Sequence, residues 1–156
     1  VYPYRPRLER FNQHTTTQGI GITHIYATVP PQNQGLLDDP NYSYFRYQNN
    51  YCGDAIELQL YIINHELQNI RHNTQACAIC CISASIMSII VKQQKIKNIL
   101  FKIKNFLSML NQQKFDFNEI NEELQIFKFF CDNPGKITCI SLPWQALKKA
   151  IESLGY

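Results

Sequence analysis

The chain has 156 residues, which is enough for one domain of moderate size with an attached segment. Its formal net charge of +3, from 15 basic and 12 acidic side chains, is too small for the dense basic surface that nucleic-acid binding uses. No catalytic motif stands out in the sequence, so we expect a non-enzymatic protein without a cofactor.

The first 53 residues form the first predicted unit, an extended arm that shows neither helical nor sustained strand periodicity. Five of the seven prolines and most of the tyrosines fall here. Aromatic side chains carry much of the energy of protein interfaces, so the arm is predicted to lie along a partner protein. The alternative is that it wraps the chain's own helical domain. The predicted partner contacts are Tyr2, Tyr4, Arg5, Arg7, Phe11, Tyr26, Tyr42, Tyr44, Phe45 and Tyr47.

Residues 54–117 form the second predicted unit, a helical segment. Its first apolar positions recur at spacings of three and four, with Asp54 available as the N-cap, and they are Ile56, Leu60, Ile63, Leu67 and Ile70. A second helix is predicted to follow, capped by Asn73 or Thr74. Its apolar register continues to Leu110, so one long helix or two abutting helices fit residues 73–110 equally well.

Residues 118–156 form the third predicted unit, a helix–loop–helix. A helix that opens at Asn118 must end at the turn formed by residues 132–135, which contains Pro134 and Gly135. After an extended piece, Pro143 suits the first position of a last helix. The two helices are predicted to pack together through two apolar stripes, Leu124, Phe127 and Phe130 on the first and Trp144, Leu147, Ile151 and Leu154 on the second.

This third unit resembles a degenerate EF-hand of the calmodulin and centrin type. Residues 122–130 correspond to the entering helix, residues 132–137 to the loop, and residues 146–156 to an exiting helix with the Leu-Gly-aromatic ending of that family. Gly135 matches the glycine of the sharp turn, and Ile137 matches the hydrophobic residue that pairs with a second hand. The resemblance implies a mainly α fold, in which the degenerate EF-hand follows the extended arm.

Calcium ligands are missing from this loop. A working loop needs oxygen ligands at its first, third, fifth and twelfth positions. These positions hold Phe130, Asp132, Pro134 and Ser141, of which only Asp132 could coordinate calcium. We therefore expect no calcium binding and no metal site in this unit.

The arm together with the degenerate EF-hand is similar to small EF-hand proteins that line ciliary doublet microtubules. The resemblance implies a structural protein of the cytoplasmic axoneme in the cilium, with tubulin or neighbouring axonemal proteins as partners. Two alternatives are a calcium-responsive regulatory module and an accessory subunit of a mitochondrial membrane complex.

The clustered cysteines raise the question of a metal or redox site. Cys77, Cys80 and Cys81 crowd into one apolar run, which favours a reducing compartment and buried thiols. The spacing of Cys77 and Cys80 suits a zinc knuckle, but zinc needs a second pair of ligands, and the nearest candidates, His65 and His72, lie on the preceding predicted helix. We therefore expect buried cysteines and no metal site.

Two further features of the sequence bear on function. The segment Cys52-Gly53-Asp54 would need a partner histidine to act as a nucleophilic site. The apolar run of residues 76–91 is shorter than the roughly 20 residues that cross a bilayer, so a buried helix is predicted there.

Overall fold

The computed structural model describes residues 32–50 and 52–156. Within these ranges the chain forms four strands and three α-helices, with two 3-10 helices before the last α-helix. In chain order the elements are β1 (Ser43–Gln48), β2 (Ala55–Ile63), β3 (Glu66–Gln75), α1 (Ala78–Val91), β4 (Gln94–Lys95), α2 (Ile96–Leu110), the 3-10 helices Phe117–Glu119 and Glu122–Phe130, and α3 (Pro134–Ser153).

The four strands form one antiparallel sheet in the order β1-β2-β3-β4. β1 pairs with β2 along its whole length, from Ser43 opposite Leu60 to Gln48 opposite Ala55. The sheet therefore runs across the predicted boundary after residue 53. The prediction of a mainly α fold is wrong, because residues 55–75, expected to be helical, form the two central strands of this sheet.

The β2–β3 hairpin explains why the helical interpretation failed. Ile56, Leu58 and Leu60 are all buried and alternate along β2, as the core face of a strand requires. Asn64 and His65 both have positive φ, at 52° and 61°, and form the two-residue turn between the strands. The spacing from Ile63 to Leu67, which looked like one helical turn, spans this hairpin turn instead.

Residues 73–110, for which one helix or two fitted the sequence, contain the end of β3, two helices and a short strand. Gln93 has a positive φ of 63° and interrupts the helical path, and β4 follows it and pairs with the start of β3. The predicted caps Asn73 and Thr74 belong to β3, and Cys77 is the residue that caps α1.

The C-terminal residues do not form an EF-hand. α3 begins at Pro134 rather than at Pro143, because the Asn133 side chain accepts a hydrogen bond from the backbone N–H of Lys136 and caps the helix. The predicted loop is thus the first turn of α3, and the expected entering helix is a 3-10 helix.

The two apolar stripes predicted for this region do enter the core. Phe127 and Trp144 are fully buried, and both rings contact Phe106 of α2, with centroid distances of 5.9 Å and 4.8 Å. Leu154, by contrast, is 39% exposed at the end of α3. Among the described residues no helix combines the length and apolarity needed to cross a membrane.

Candidate metal-binding site

Three side chains with metal-ligating atoms converge at one end of the sheet. Asp54 directly precedes β2, Cys77 directly precedes α1, and Cys139 lies in the first half of α3. One ligand atom from each residue lies within 4.8 Å of the other two. The Cys139 Sγ is 4.0 Å from Asp54 Oδ2, although 85 residues separate the two in the sequence. The fold therefore gathers this donor set from three distant segments.

The loop between β1 and β2 supplies a fourth candidate ligand, the exposed thiol of Cys52. The loop is tied by two backbone hydrogen bonds, from Asn49 N–H to Asp54 O at 2.8 Å and from Gly53 N–H to Asn49 O at 3.0 Å. Gly53 has a φ of +75°, a conformation that glycine adopts without strain. The two hydrogen bonds thus keep Cys52 and Asp54, on either side of Gly53, within one tight turn.

Cys77 lies between β3 and α1 as the N-cap of the helix, with an extended backbone. Its side chain is exposed, which makes the prediction of a buried thiol wrong at this position. The positive end of the helix dipole favours negative charge there, so the position suits a thiolate ligand. Cys80 is fully buried, as predicted, and burial strongly raises the pKa of its thiol.

The two histidines weighed as further ligands for a zinc knuckle at Cys77 and Cys80 have other contacts. The His65 ring packs edge-on against Tyr156 at a centroid distance of 5.2 Å. His72 is buried, and its Nε2 is 2.8 Å from the backbone oxygen of Gln32. Each histidine therefore contacts another part of the chain, at Tyr156 for His65 and at Gln32 for His72.

In the metal-free site, burial and the neighbouring acidic groups disfavour the thiolate of Cys139. Burial, a hydrogen bond with Cys77, and the negative charges of Cys77, Asp54 and Cys52 raise the pKa of Cys139 to about 12. The metal-free thiol is therefore protonated at neutral pH. A divalent cation would reverse this balance, because it stabilises the thiolates that otherwise repel one another.

The donor set fits zinc or iron. Zinc takes four ligands from thiolates, imidazoles and carboxylates, and iron–sulfur clusters are held chiefly by cysteine thiolates. Cys52, Cys77 and Cys139 with Asp54 supply that number and those atom types. The site was not predicted from the sequence because only histidines near the cysteines were weighed as further ligands. The residue that approaches Asp54 is instead Cys139, which lies 85 residues further along the chain.

Asp54, Cys77 and Cys139 thus meet at the end of the sheet of a small α/β domain, and Cys52 lies on the adjoining loop. The sequence matches the family described as "NifU-like N terminal domain" over residues 24–155. The chain belongs to this family.

Individual relatives are bacterial proteins of similar length. The chain is 26% identical over 121 residues to the zinc-dependent sulfurtransferase SufU of Bacillus subtilis, covering 78% of this chain and 81% of SufU. It is 26% identical over 137 residues to the iron-sulfur cluster assembly scaffold protein IscU of Streptococcus pyogenes, covering 84% and 85%.

Solved structures share the fold. A putative iron–sulfur cluster assembly scaffold protein from Fervidobacterium islandicum superimposes with a TM-score of 0.70 at 19% identity, over 83% of this chain and 93% of that one. A NifU-like N-terminal domain from Brucella abortus gives a TM-score of 0.70 at 16% identity, over 85% and 90%.

The family assignment overturns the EF-hand resemblance and everything that rested on it. The predicted tubulin or axonemal partners, the ciliary location and the two alternative functions are wrong, because the residues interpreted as an EF loop belong to the NifU-like fold. A proline–glycine turn and a Leu-Gly-aromatic ending occur at helix ends of many folds, and here they lie at the two ends of α3.

The predicted partner contacts fall into two groups. Six of them, Tyr2, Tyr4, Arg5, Arg7, Phe11 and Tyr26, lie outside the described residues. The other four lie on or beside β1: the Tyr42 ring is 5.4 Å from that of Tyr61, Tyr44 Oη donates to Glu57, and Phe45 and Tyr47 pack against the core. Their role in binding a partner stays a prediction.

Proposed function

We propose that this protein is a scaffold on which an iron–sulfur cluster is assembled, held by Cys52, Asp54, Cys77 and Cys139. The observation that carries the proposal is the convergence of Asp54, Cys77 and Cys139 within 4.8 Å from three segments of the chain. The NifU-like family and the relative named as a cluster assembly scaffold support the same function.

The donors suit a site that must both load and release its cargo. Thiolates bind iron and sulfide-bridged clusters strongly, whereas a carboxylate oxygen is a harder ligand with less preference for such clusters. A set of three thiolates and one carboxylate therefore holds a cluster less firmly than four thiolates. Asp54 is the ligand whose replacement by cysteine should slow cluster release.

Access to the site also fits assembly and transfer. Cys52 and Cys77 are both exposed, while Cys139 is half-buried beside them. Incoming iron, a sulfur donor and an acceptor protein can therefore reach two of the three thiols from solvent. Cys139 and Asp54 define the inner wall of the site.

Anaerobic reconstitution tests the proposal. The metal-free chain is incubated with ferric iron, sulfide and dithiothreitol, which supplies the electrons for any ferrous site. Cluster formation is followed by visible absorption and by iron and acid-labile sulfide content. Wild-type protein should form a cluster and transfer it to an apo-ferredoxin. The variants Cys77→Ser and Cys139→Ser should form little or none.

Cys131→Ser is the matched control, because the Cys131 thiol contacts the backbone oxygens of Met109 and Phe127 rather than the site. It should assemble the cluster as the wild type does. A wild-type chain that retains zinc and transfers persulfide sulfur without assembling a cluster would refute the scaffold role and indicate a zinc-dependent sulfurtransferase.

A further inference from the structure

Ser83 links the two helices that carry the site cysteines. It lies on α1, six residues after Cys77, and is fully buried. Its hydroxyl donates to the backbone oxygen of Ile140 on α3 at 2.7 Å and accepts from the indole N–H of Trp144 at 3.1 Å. Ile140 directly follows Cys139, so this pair of bonds holds α1 to the turn of α3 that carries the ligand.

That turn of α3 is intrinsically weak. Pro143 lies inside the helix and has no N–H, so it cannot donate the bond that the carbonyl of Cys139 would receive in a regular helix. Its ring also disfavours a straight helical path at that carbonyl. The position of Cys139 therefore depends on bonds from outside α3, and the Ser83 hydroxyl supplies one to the adjacent carbonyl.

We propose that Ser83 and Trp144 are positioning residues that fix Cys139 relative to Cys77 and thereby set the metal affinity of the site. This inference rests on the proposed metal-binding function. Metal–ligand distances tolerate only about 0.2 Å, so a small shift of α3 against α1 weakens coordination. Removing the Ser83 hydroxyl also takes the acceptor from the buried indole N–H of Trp144 and one hydrogen bond from the Ile140 carbonyl, which favours such a shift.

Zinc affinity and cobalt spectra test the positioning role. Zinc affinity is measured by competition with a chromophoric chelator. The visible spectrum of the cobalt(II) form reports the ligand geometry. Both measurements are made well below the melting temperature of each variant. Ser83→Ala should weaken zinc binding by about 10- to 100-fold and alter the cobalt spectrum. Trp144→Phe, which keeps a ring but removes the N–H, should give a smaller change in the same direction. Ser83→Thr, which keeps a hydroxyl at this position, should bind zinc more tightly than Ser83→Ala.

Ser88→Ala is the matched control. Ser88 is also fully buried on α1, but its hydroxyl donates to Ser85 O at 2.7 Å and faces the segment around Asn33 rather than α3. This variant should lose stability yet keep the zinc affinity and cobalt spectrum of the wild type. If Ser83→Ala does not fold, the comparison of Trp144→Phe with Ser88→Ala decides the question.

Two results would refute the proposal, and they differ in what else they refute. A wild-type chain that binds neither zinc nor cobalt would reject the metal site and the positioning role together. A wild-type chain that binds both ions, with Ser83 and Trp144 variants that match the Ser88 control, would reject the positioning role alone.

Discussion

Replacing Phe127 by alanine should destabilise the domain strongly, while the same change at Phe129 should not. Both residues lie in the 3-10 helix of residues 122–130, but Phe127 is fully buried and Phe129 is 57% exposed. Truncating a buried phenylalanine to alanine lowers the free energy of unfolding by about 3–5 kcal/mol. Part of this loss here is the edge-to-face contact with the Phe106 ring, at a centroid distance of 5.9 Å. Exposed positions usually change stability by less than about 0.5 kcal/mol.

Urea unfolding of the metal-stripped chain measures both free energies of unfolding without a contribution from ion binding. The Phe127→Ala midpoint should fall sharply at an unchanged slope, and the Phe129→Ala midpoint should stay near the wild type. Equal losses in the two variants would refute the reasoning, because the packing of Phe127 between α2 and α3 would then not stabilise the fold as the structure indicates.

Three further predictions concern pH, ligand identity and backbone strain. Burial lowers the pKa of His72, so the folded state favours the neutral ring. The contribution of His72 to the unfolding free energy should be complete above pH about 6.5, the pKa of the unfolded state, and should be lost as the pH falls toward the lowered pKa of the folded state. His72→Gln should flatten this pH dependence of the unfolding free energy. Cys80→Ser should leave zinc affinity unchanged in a chelator competition, because the Cys80 thiol is buried outside the donor set, whereas Cys77→Ser should weaken it. Gly53→Ala should cost about 1–2 kcal/mol in urea unfolding through the positive φ alone, since no atom outside the neighbouring residues lies within 4 Å of the added Cβ. The zinc affinity of this variant should also fall, because Cys52 and Asp54 flank the position. An unchanged unfolding midpoint would contradict the strain argument.

Local sequence signals predicted the C-terminal core better than the sheet. The stripes of Phe127 and Trp144 were identified correctly because a buried aromatic remains buried whether its segment is an α-helix or a 3-10 helix. The hairpin of residues 55–75 was misassigned because Ile56 and Leu60 share one face in a strand as well as in a helix. Pairing of β1 with β2, which decides between the two, is a long-range contact that the local pattern does not contain.

The start of α3 was misplaced for a related reason. Pro134 and Gly135 suit a turn, but proline suits the first position of a helix equally well, and the Asn133 cap decides for the helix. The expectation that Pro143 opens a helix is therefore wrong, because Pro143 lies inside α3.

The proposed ligands are only partly identifiable from the sequence. Cys77 and the Cys52-Gly53-Asp54 segment drew attention because of their residue types, but neither contains a complete donor set. Cys139 joins them only after α3 packs against α1, through contacts such as the hydrogen bond from Ser83 to Ile140. A ligand set spread over three segments becomes evident from the fold.

Zinc titration of the metal-stripped chain tests the four-ligand site most directly. The wild type should bind one zinc ion per chain with release of protons from its thiols, and Cys52→Ser, Asp54→Ala, Cys77→Ser and Cys139→Ser should each weaken binding, the Cys77 and Cys139 variants by more than about 100-fold. Zinc binding at wild-type affinity in both the Cys77→Ser and Cys139→Ser variants would contradict the assignment of this site.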